Sequence, residues 1–159
     1  MRFDRALRNL FLVLFSAIMI SACASAKKEA SSLKNDVYTG TDTVEYLANG
    51  VPDRVFFATN KSKLTTAARD TLRKQATWLR KNKKITVTIE GHADERGTRE
   101  YNLALGERRA NAAKDYLMTY GISGKRLSVI SYGKERPVNP ASSPLAWSQN
   151  RRSVTVKAN

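Results

Sequence analysis

Residues 85–121 change their period within a few positions, and that change limits the folds open to the chain. Ile85-Thr-Val-Thr-Ile89 alternates apolar and polar side chains, the pattern of a strand with one buried face. An acidic, glycine-bounded loop, Gly91–Gly97, follows at once. A helix is predicted next from about Arg99 to Tyr120, with Gly121 placed just beyond its last turn to end it. A strand running through a short loop into a helix is a β–α unit, which needs further strands beside it and a layer against which the helix can pack.

The flanking sequence supplies both. Arg54-Val-Phe-Phe-Ala58 is a short apolar β run. Leu64 to Lys81 is predicted as a helix, with Thr65 or Thr66 able to cap its N-terminus. Ala68, Leu72, Ala76 and Leu79 recur at intervals of four and three and give it one apolar face. Arg80, Lys81, Lys83 and Lys84 crowd its end, where the helix dipole favours cations. Leu127 and Val129 mark a third strand, Gly133–Ser148 is predicted as a proline-containing loop, and Arg152-Ser-Val-Thr-Val-Lys157 alternates again as the last strand. The order βαβαββ defines an α+β domain over residues 52–159, with a mixed sheet and its helices packed on one face.

The N-terminus has a different character. Residues 1–9 are basic, and Leu10 to Ile20 form an apolar run of 11 residues. That is too short to cross about 30 Å of hydrocarbon, which takes about 20 helical residues, but it suits the apolar region of a secretion signal. Ile20-Ser-Ala-Cys23 then places an aliphatic and two small residues before the chain's one cysteine. This resembles the bacterial lipobox. The resemblance implies a signal peptide over residues 1–22, cleavage before Cys23, and acylation of Cys23 that anchors the chain in a membrane. An uncleaved anchor with an incidental cysteine is the competing reading. Residues 23–51 are poor in large apolar side chains and show no period, so they are predicted as a flexible tether.

Composition narrows the chemistry. One cysteine and one histidine exclude an internal disulfide and a Cys/His zinc site, so no metal and no cofactor is expected. The formal charge is +14. Residues 1–22 hold Arg2, Arg5 and Arg8 against Asp4, so their removal takes two from that total and the remainder is still strongly basic. Nucleic acid, an anionic surface and an acidic polymer are all compatible with such a charge. No stacking platform of aromatics interleaved with Lys and Arg accompanies it, so nucleic acid ranks low. Hydrolytic catalysis ranks low as well. It needs a nucleophile with a base, a metal, or two separated carboxylates, and Asp94 and Glu95 are adjacent in one loop.

Asp94 in the loop and Arg109 on the helix place one anion near one cation, a pair suited to a zwitterion. Asn102 and Arg109 lie seven residues apart, about two turns, and share a face. Charge and spacing alone equally allow a structural loop-to-helix ion pair. Leu105 lies between them, as a pocket wall or as core. Arg108 points about 100° away from Arg109 and is read as a solvated charge or a core-rim residue. His92 is read as a structural hydrogen-bonding residue, and Gly97 as the residue that gives the loop its turn.

The run GHADERGT…YN..LGERRAN resembles the signature of OmpA-like peptidoglycan-binding domains, and the peptidoglycan-associated lipoprotein branch in particular, over about residues 52–158. The resemblance implies that Asp94 and Arg109 hold the meso-diaminopimelate of a wall stem peptide, with Asn102 and Leu105 beside them. Arg supplies a planar fork for the carboxylate, and Asp accepts from the ammonium. Asn60 stands where the branch usually has Asp, so that position keeps its hydrogen bonding and loses its charge. Asn150-Arg151-Arg152 resembles the family's closing motif and brings Arg151 toward the ligand or the sugar backbone, leaving Arg152 to charge the surface or the edge strand. The resemblance further implies an outer-membrane lipoprotein facing the periplasm, working with TolB and the other Tol proteins in envelope constriction during division. On this reading Asp94→Ala or Arg109→Ala abolishes wall binding and leaves the fold intact.

Overall fold

The computed structural model describes residues 33–34 and 36–158. The signal segment 1–22, Cys23 and the start of the tether lie outside the described residues. The domain is the α+β mixed sheet that the periods predict. Its four strands are β5 (Arg54–Phe56), β6 (Val87–His92), β7 (Leu127–Gly133) and β8 (Arg152–Lys157). They lie in the order β5-β8-β6-β7, with β6 parallel to β7 and β8 antiparallel to both β5 and β6. Helix α1 (Thr66–Lys81) connects β5 to β6, and helix α2 (Arg99–Thr119) connects β6 to β7.

Both helices cover one face. Val55, Phe57, Val87, Ile89 and Leu127 from the sheet side meet Leu72, Ala76 and Leu79 of α1 and Ala110, Ala113 and Leu117 of α2 in a single buried cluster. Each helix has a side-chain N-cap, Thr65 for α1 and Thr98 for α2. Gly121 follows α2 at φ +82°, the left-handed conformation that ends helices. Asn82 N–H closes the last turn of α1 on Trp78 O at 3.0 Å. Arg126 then binds carbonyls in and beyond that turn, donating to Leu79 O, Asn82 O and Ile85 O at 2.7–3.1 Å. Gln75, wholly buried on α1, ties the helix to the strands, donating to Pro52 O and accepting from Thr155, each at 2.8 Å.

Helix α2 crosses β6 with no room to spare. A Cβ on Gly91 would lie 1.9 Å from Gly106 O, and one on Gly106 would lie 2.4 Å from Ser131 Oγ. Glycine at both positions lets the helix backbone rest on the strand backbone. The crossing fixes the distance from the loop after β6 to the next turn of α2.

Two regions differ from the sequence reading. The Gly133–Ser148 loop contains a third helix, α3 (Pro144–Asn150), capped by Ser143 with Pro144 in its first turn. The tether is also shorter than predicted. Residues 33–34 pair with 37–38 as β1 and β2, and Tyr46–Ala48 pairs with Val51–Pro52 as β3 and β4. Val37, Tyr38 and Leu47 are buried, and Tyr38 packs edge-on against Phe56 with ring centres 4.8 Å apart. Strands of two or three residues are too short to show a period, which is why this segment read as coil. Among the described residues no helix is long and apolar enough to cross a membrane.

Candidate functional site

The site forms where the ends of β5 and β6 meet the middle of α2 and the start of β8. Asp94 lies two residues past β6, Asn102 and Arg109 on the inward face of α2, and Arg151 at the end of α3. All four are buried. The structure brings the predicted residues together but does not pair Asp94 with Arg109.

Arg109 is wholly buried and bonds to backbone. Its Nε donates to Lys61 O at 2.9 Å, one terminal nitrogen to His92 O at 2.8 Å, and the other to Ala58 O at 3.1 Å. It thus joins the loop after β5 to the end of β6 and lies over the Phe57 ring at 5.4 Å. Each terminal nitrogen carries a second N–H. Burial pulls its pKa down from 12.5 to about 10, with Arg151 adding to the effect. It remains a cation at neutral pH.

Asp94 is held by two other arginines. Arg96 donates to it from Nε at 3.1 Å and a terminal nitrogen at 2.8 Å, and the Arg96 backbone N–H adds a bond of 3.1 Å. Arg151 donates at 3.3 Å. Burial pushes the Asp94 carboxyl up, but these cationic and amide donors outweigh it and hold it below the usual carboxylate range. Arg96 is partly exposed and lies over the Trp147 ring at 4.3 Å, while Trp147 Nε1 donates to Glu95 at 2.8 Å. Arg96 is therefore a cation resting on Asp94 from the solvent side.

Arg151, fully buried, divides its guanidinium three ways. Nε donates to Phe57 O at 3.1 Å, one terminal nitrogen to Asp94, and the other to Asp36, at 2.6 Å to its backbone oxygen and 2.8 Å to its carboxylate. Asn102 donates to Arg96 O at 2.9 Å, so it fixes the acidic loop. Leu105 is buried one turn before Arg109. Asn60 is exposed at φ +55°, a left-handed position that Asn tolerates. Arg108 is exposed, a solvated charge.

His92 and Arg152 depart from expectation. The His92 ring is buried beside Tyr132, and neither ring nitrogen has a hydrogen-bond partner among the described residues; Nε2 lies 3.4 Å from a Glu90 carboxylate oxygen. Burial, with Arg152, Arg136 and Arg54 nearby, pulls its pKa from 6.5 to about 3, so the ring is neutral. Arg152 does not charge the surface. It is buried, and donates to Asn150 O and Arg136 O.

Three participants escaped the sequence reading: Arg96, Trp147 and Asp36. The proximity of Arg96 to Asp94 in the chain was a usable signal for the first. Asp36 is 115 positions from Arg151, and nothing in the sequence joins them. A larger open groove of about 630 Å³ lies over α1 beside Gly50, Arg73, Lys74 and Trp78. Its lining shares no residue with this site, and its one carboxylate, Asp70, is an exposed group paired with Arg73 of the same helix.

Comparison with known proteins fits this geometry. The OmpA family matches residues 56–151, which span β5 to Arg151 and so hold Asp94, Asn102 and Arg109. A peptidoglycan-associated lipoprotein of Brucella melitensis biotype 1 is 45% identical over 151 residues, covering 91% of this chain and 89% of the relative. The peptidoglycan-associated lipoprotein of Rhizobium meliloti is 45% identical over 161 residues, covering 98% and 91%. The crystal structure of the peptidoglycan-associated lipoprotein from Burkholderia pseudomallei superposes with a TM-score of 0.65 at 34% identity, over 67% of this chain and 90% of that one. With its helix-covered mixed sheet and its match across both halves of the site, the chain belongs to the OmpA family and groups with the peptidoglycan-associated lipoproteins.

Proposed function

We propose that this chain binds peptidoglycan noncovalently through the zwitterionic end of meso-diaminopimelate. The observation that carries the proposal is the buried cluster of opposed charges, the Asp94 carboxylate with the Arg109 and Arg151 guanidinium groups, whose exposed partners are Arg96 and Asp36. The ligand's ammonium takes the place on Asp94 that Arg96 now holds. Its carboxylate meets the second N–H of Arg109 and the fork of Arg151. Lysine in the same wall position lacks that carboxylate and forgoes its bonds to Arg109 and Arg151, which is the basis of discrimination. Asn102 and Leu105 hold the shape of the site, and Asn60 offers hydrogen bonding at its edge without charge.

Signal cleavage before Cys23 and its acylation anchor this domain in the outer membrane, facing the periplasm, so the chain links membrane to wall. Several acyl chains make such an anchor stable. The relatives' shared name supports a wall-associated lipoprotein. Work within the Tol system, through TolB, is part of the reading. A wall-binding lipoprotein of the same fold outside that system is the alternative, and co-purification with TolB separates the two.

The test is co-sedimentation with purified sacculi. The chain is expected to pellet with diaminopimelate-type walls and to stay largely in solution with lysine-type walls, and Asp94→Ala is expected to remove pelleting. Normal pelleting by Asp94→Ala, or equal binding to both wall types, would overturn the assignment. Labelling with radioactive palmitate tests Cys23.

A further inference from the structure

The segment read from sequence as a passive tether sends a carboxylate into the site. Asp36, in the turn between β1 and β2, has φ +64°, a conformation that an L-residue adopts at a cost unless contacts offset it. The contacts are specific. One carboxylate oxygen accepts the Thr59 N–H at 2.8 Å, and the other accepts from Arg151 at 2.8 Å. The same Arg151 nitrogen also donates to the Asp36 backbone oxygen at 2.6 Å. Thr59 adjoins Ala58, whose carbonyl binds Arg109. Asp36 therefore stands on the carboxylate side of the site, while Arg96 stands on Asp94 at the cation side. The two side chains together imitate a zwitterion, Arg96 in place of its ammonium and Asp36 in place of its carboxylate.

We infer that residues 33–38 are a displaceable latch, with Asp36 competing for the donors that hold the wall ligand's carboxylate. This rests on the peptidoglycan reading above. A latch and a ligand that exclude one another are reciprocally coupled: occupancy by the wall releases the segment, and any pull that releases the segment raises affinity for the wall. With Cys23 anchored, release of residues 33–38 also lengthens the leash. Ten residues separate Cys23 from Leu33, at most about 35 Å of extended chain, and fifteen separate it from Tyr38, about 50 Å. The domain would thus bind better when it reaches farther from the membrane.

The experiment uses the full-length acylated chain in detergent. Asp36→Ala is expected to bind diaminopimelate-type sacculi about fivefold more tightly than wild type, the bias expected of one half-exposed ion pair and one amide bond. Asp36→Asn, which keeps the shape and loses the charge, falls between them. Independently, trypsin is expected to cut after the exposed Lys34 faster when a diaminopimelate-containing muropeptide is present. If wild type binds sacculi and Asp36→Ala binds within twofold of it, or if cleavage at Lys34 ignores the muropeptide, the latch is refuted and wall binding stands. If wild type fails to bind sacculi, the wall reading falls and the latch falls with it.

Discussion

Arg109→Ala separates a residue that only grips ligand from one that also builds the site. The motif alone implies that this substitution spares the fold. The structure predicts otherwise, because Arg109 donates to three backbone carbonyls on two separate segments. Bonds from a charged donor contribute about 2 kcal/mol each, or about 6 kcal/mol for the three. Against this stands the burial of the guanidinium. Together with the nearby Arg151 it pulls the pKa from 12.5 to about 10, a cost of about 3 kcal/mol. The net loss on truncation is then about 3 kcal/mol, with Ala58 O, Lys61 O and His92 O left short of a donor. For a domain of this size, that lowers the thermal midpoint by roughly 12 °C. The assay is thermal unfolding followed by circular dichroism, paired with sacculus co-sedimentation at a temperature where the variant remains folded. Arg109→Lys, whose single ammonium cannot reproduce the three-way fork, should fall between wild type and Arg109→Ala. An Arg109→Ala midpoint within about 2 °C of wild type would refute the stapling role and leave Arg109 as a ligand contact alone.

Two further outcomes can be checked. His92 is the chain's one histidine and is held neutral in the fold, with its pKa pulled to about 3. The unfolded chain takes up a proton below pH 6.5 that the folded one refuses, so stability falls as pH drops from 6.5 toward 3, by about 1.4 kcal/mol per pH unit once well below 6.5. Denaturant unfolding at pH 7 and pH 5 should show that slope, and His92→Gln should flatten it; an unchanged slope in the variant would assign the dependence to the carboxylates. Gly91→Ala places a Cβ 1.9 Å from Gly106 O, where backbone must move. We expect a loss of about 3 kcal/mol or more, read as a fall in the urea midpoint. An unaffected midpoint would mean that the strand–helix crossing is not tight.

The parts of this fold that were legible in the sequence are those where a period is long enough to be seen. Ile85–Ile89 and the apolar face of α1 each repeat several times, and they place one strand and one of the two long helices. The strand after Ile85 begins two residues later than its alternation suggests and runs on through His92, because its continuation, Gly91 and His92, lies under α2 rather than following a pattern. Helix α3 carried only a local sign, Ser143 before Pro144, within a loop otherwise marked by prolines. For the site, the motif located the residues, but partner choice was hidden. Asp94 had Arg96 two positions away and Arg109 fifteen away, and spacing on a helix cannot say which guanidinium a loop carboxylate faces. That depends on the Gly91–Gly106 contact, which sets Arg109 beneath the loop and aims it at carbonyls.

The basic charge of the chain then has a structural meaning that composition alone could not show. Arg109, Arg126 and Arg151 each spend several N–H groups on backbone carbonyls, joining loops that no strand or helix connects. A guanidinium suits this because it presents donors in a fixed fork and keeps its charge when buried. Such a cation can also bond to carboxylates through its remaining donors. Arg151 shows both uses at once: Nε holds Phe57 O in the domain, while its terminal nitrogens hold Asp94 and the displaceable Asp36. A site built this way is rigid before any ligand arrives, since the groups that grip are already fixed by backbone. It also keeps its charges paired until then, because Arg96 and Asp36 stand on the anion and the cation. On the proposed reading, binding the wall is an exchange of ion pairs rather than the desolvation of bare charges, and affinity is set by how much better a zwitterion fits than the two side chains it displaces.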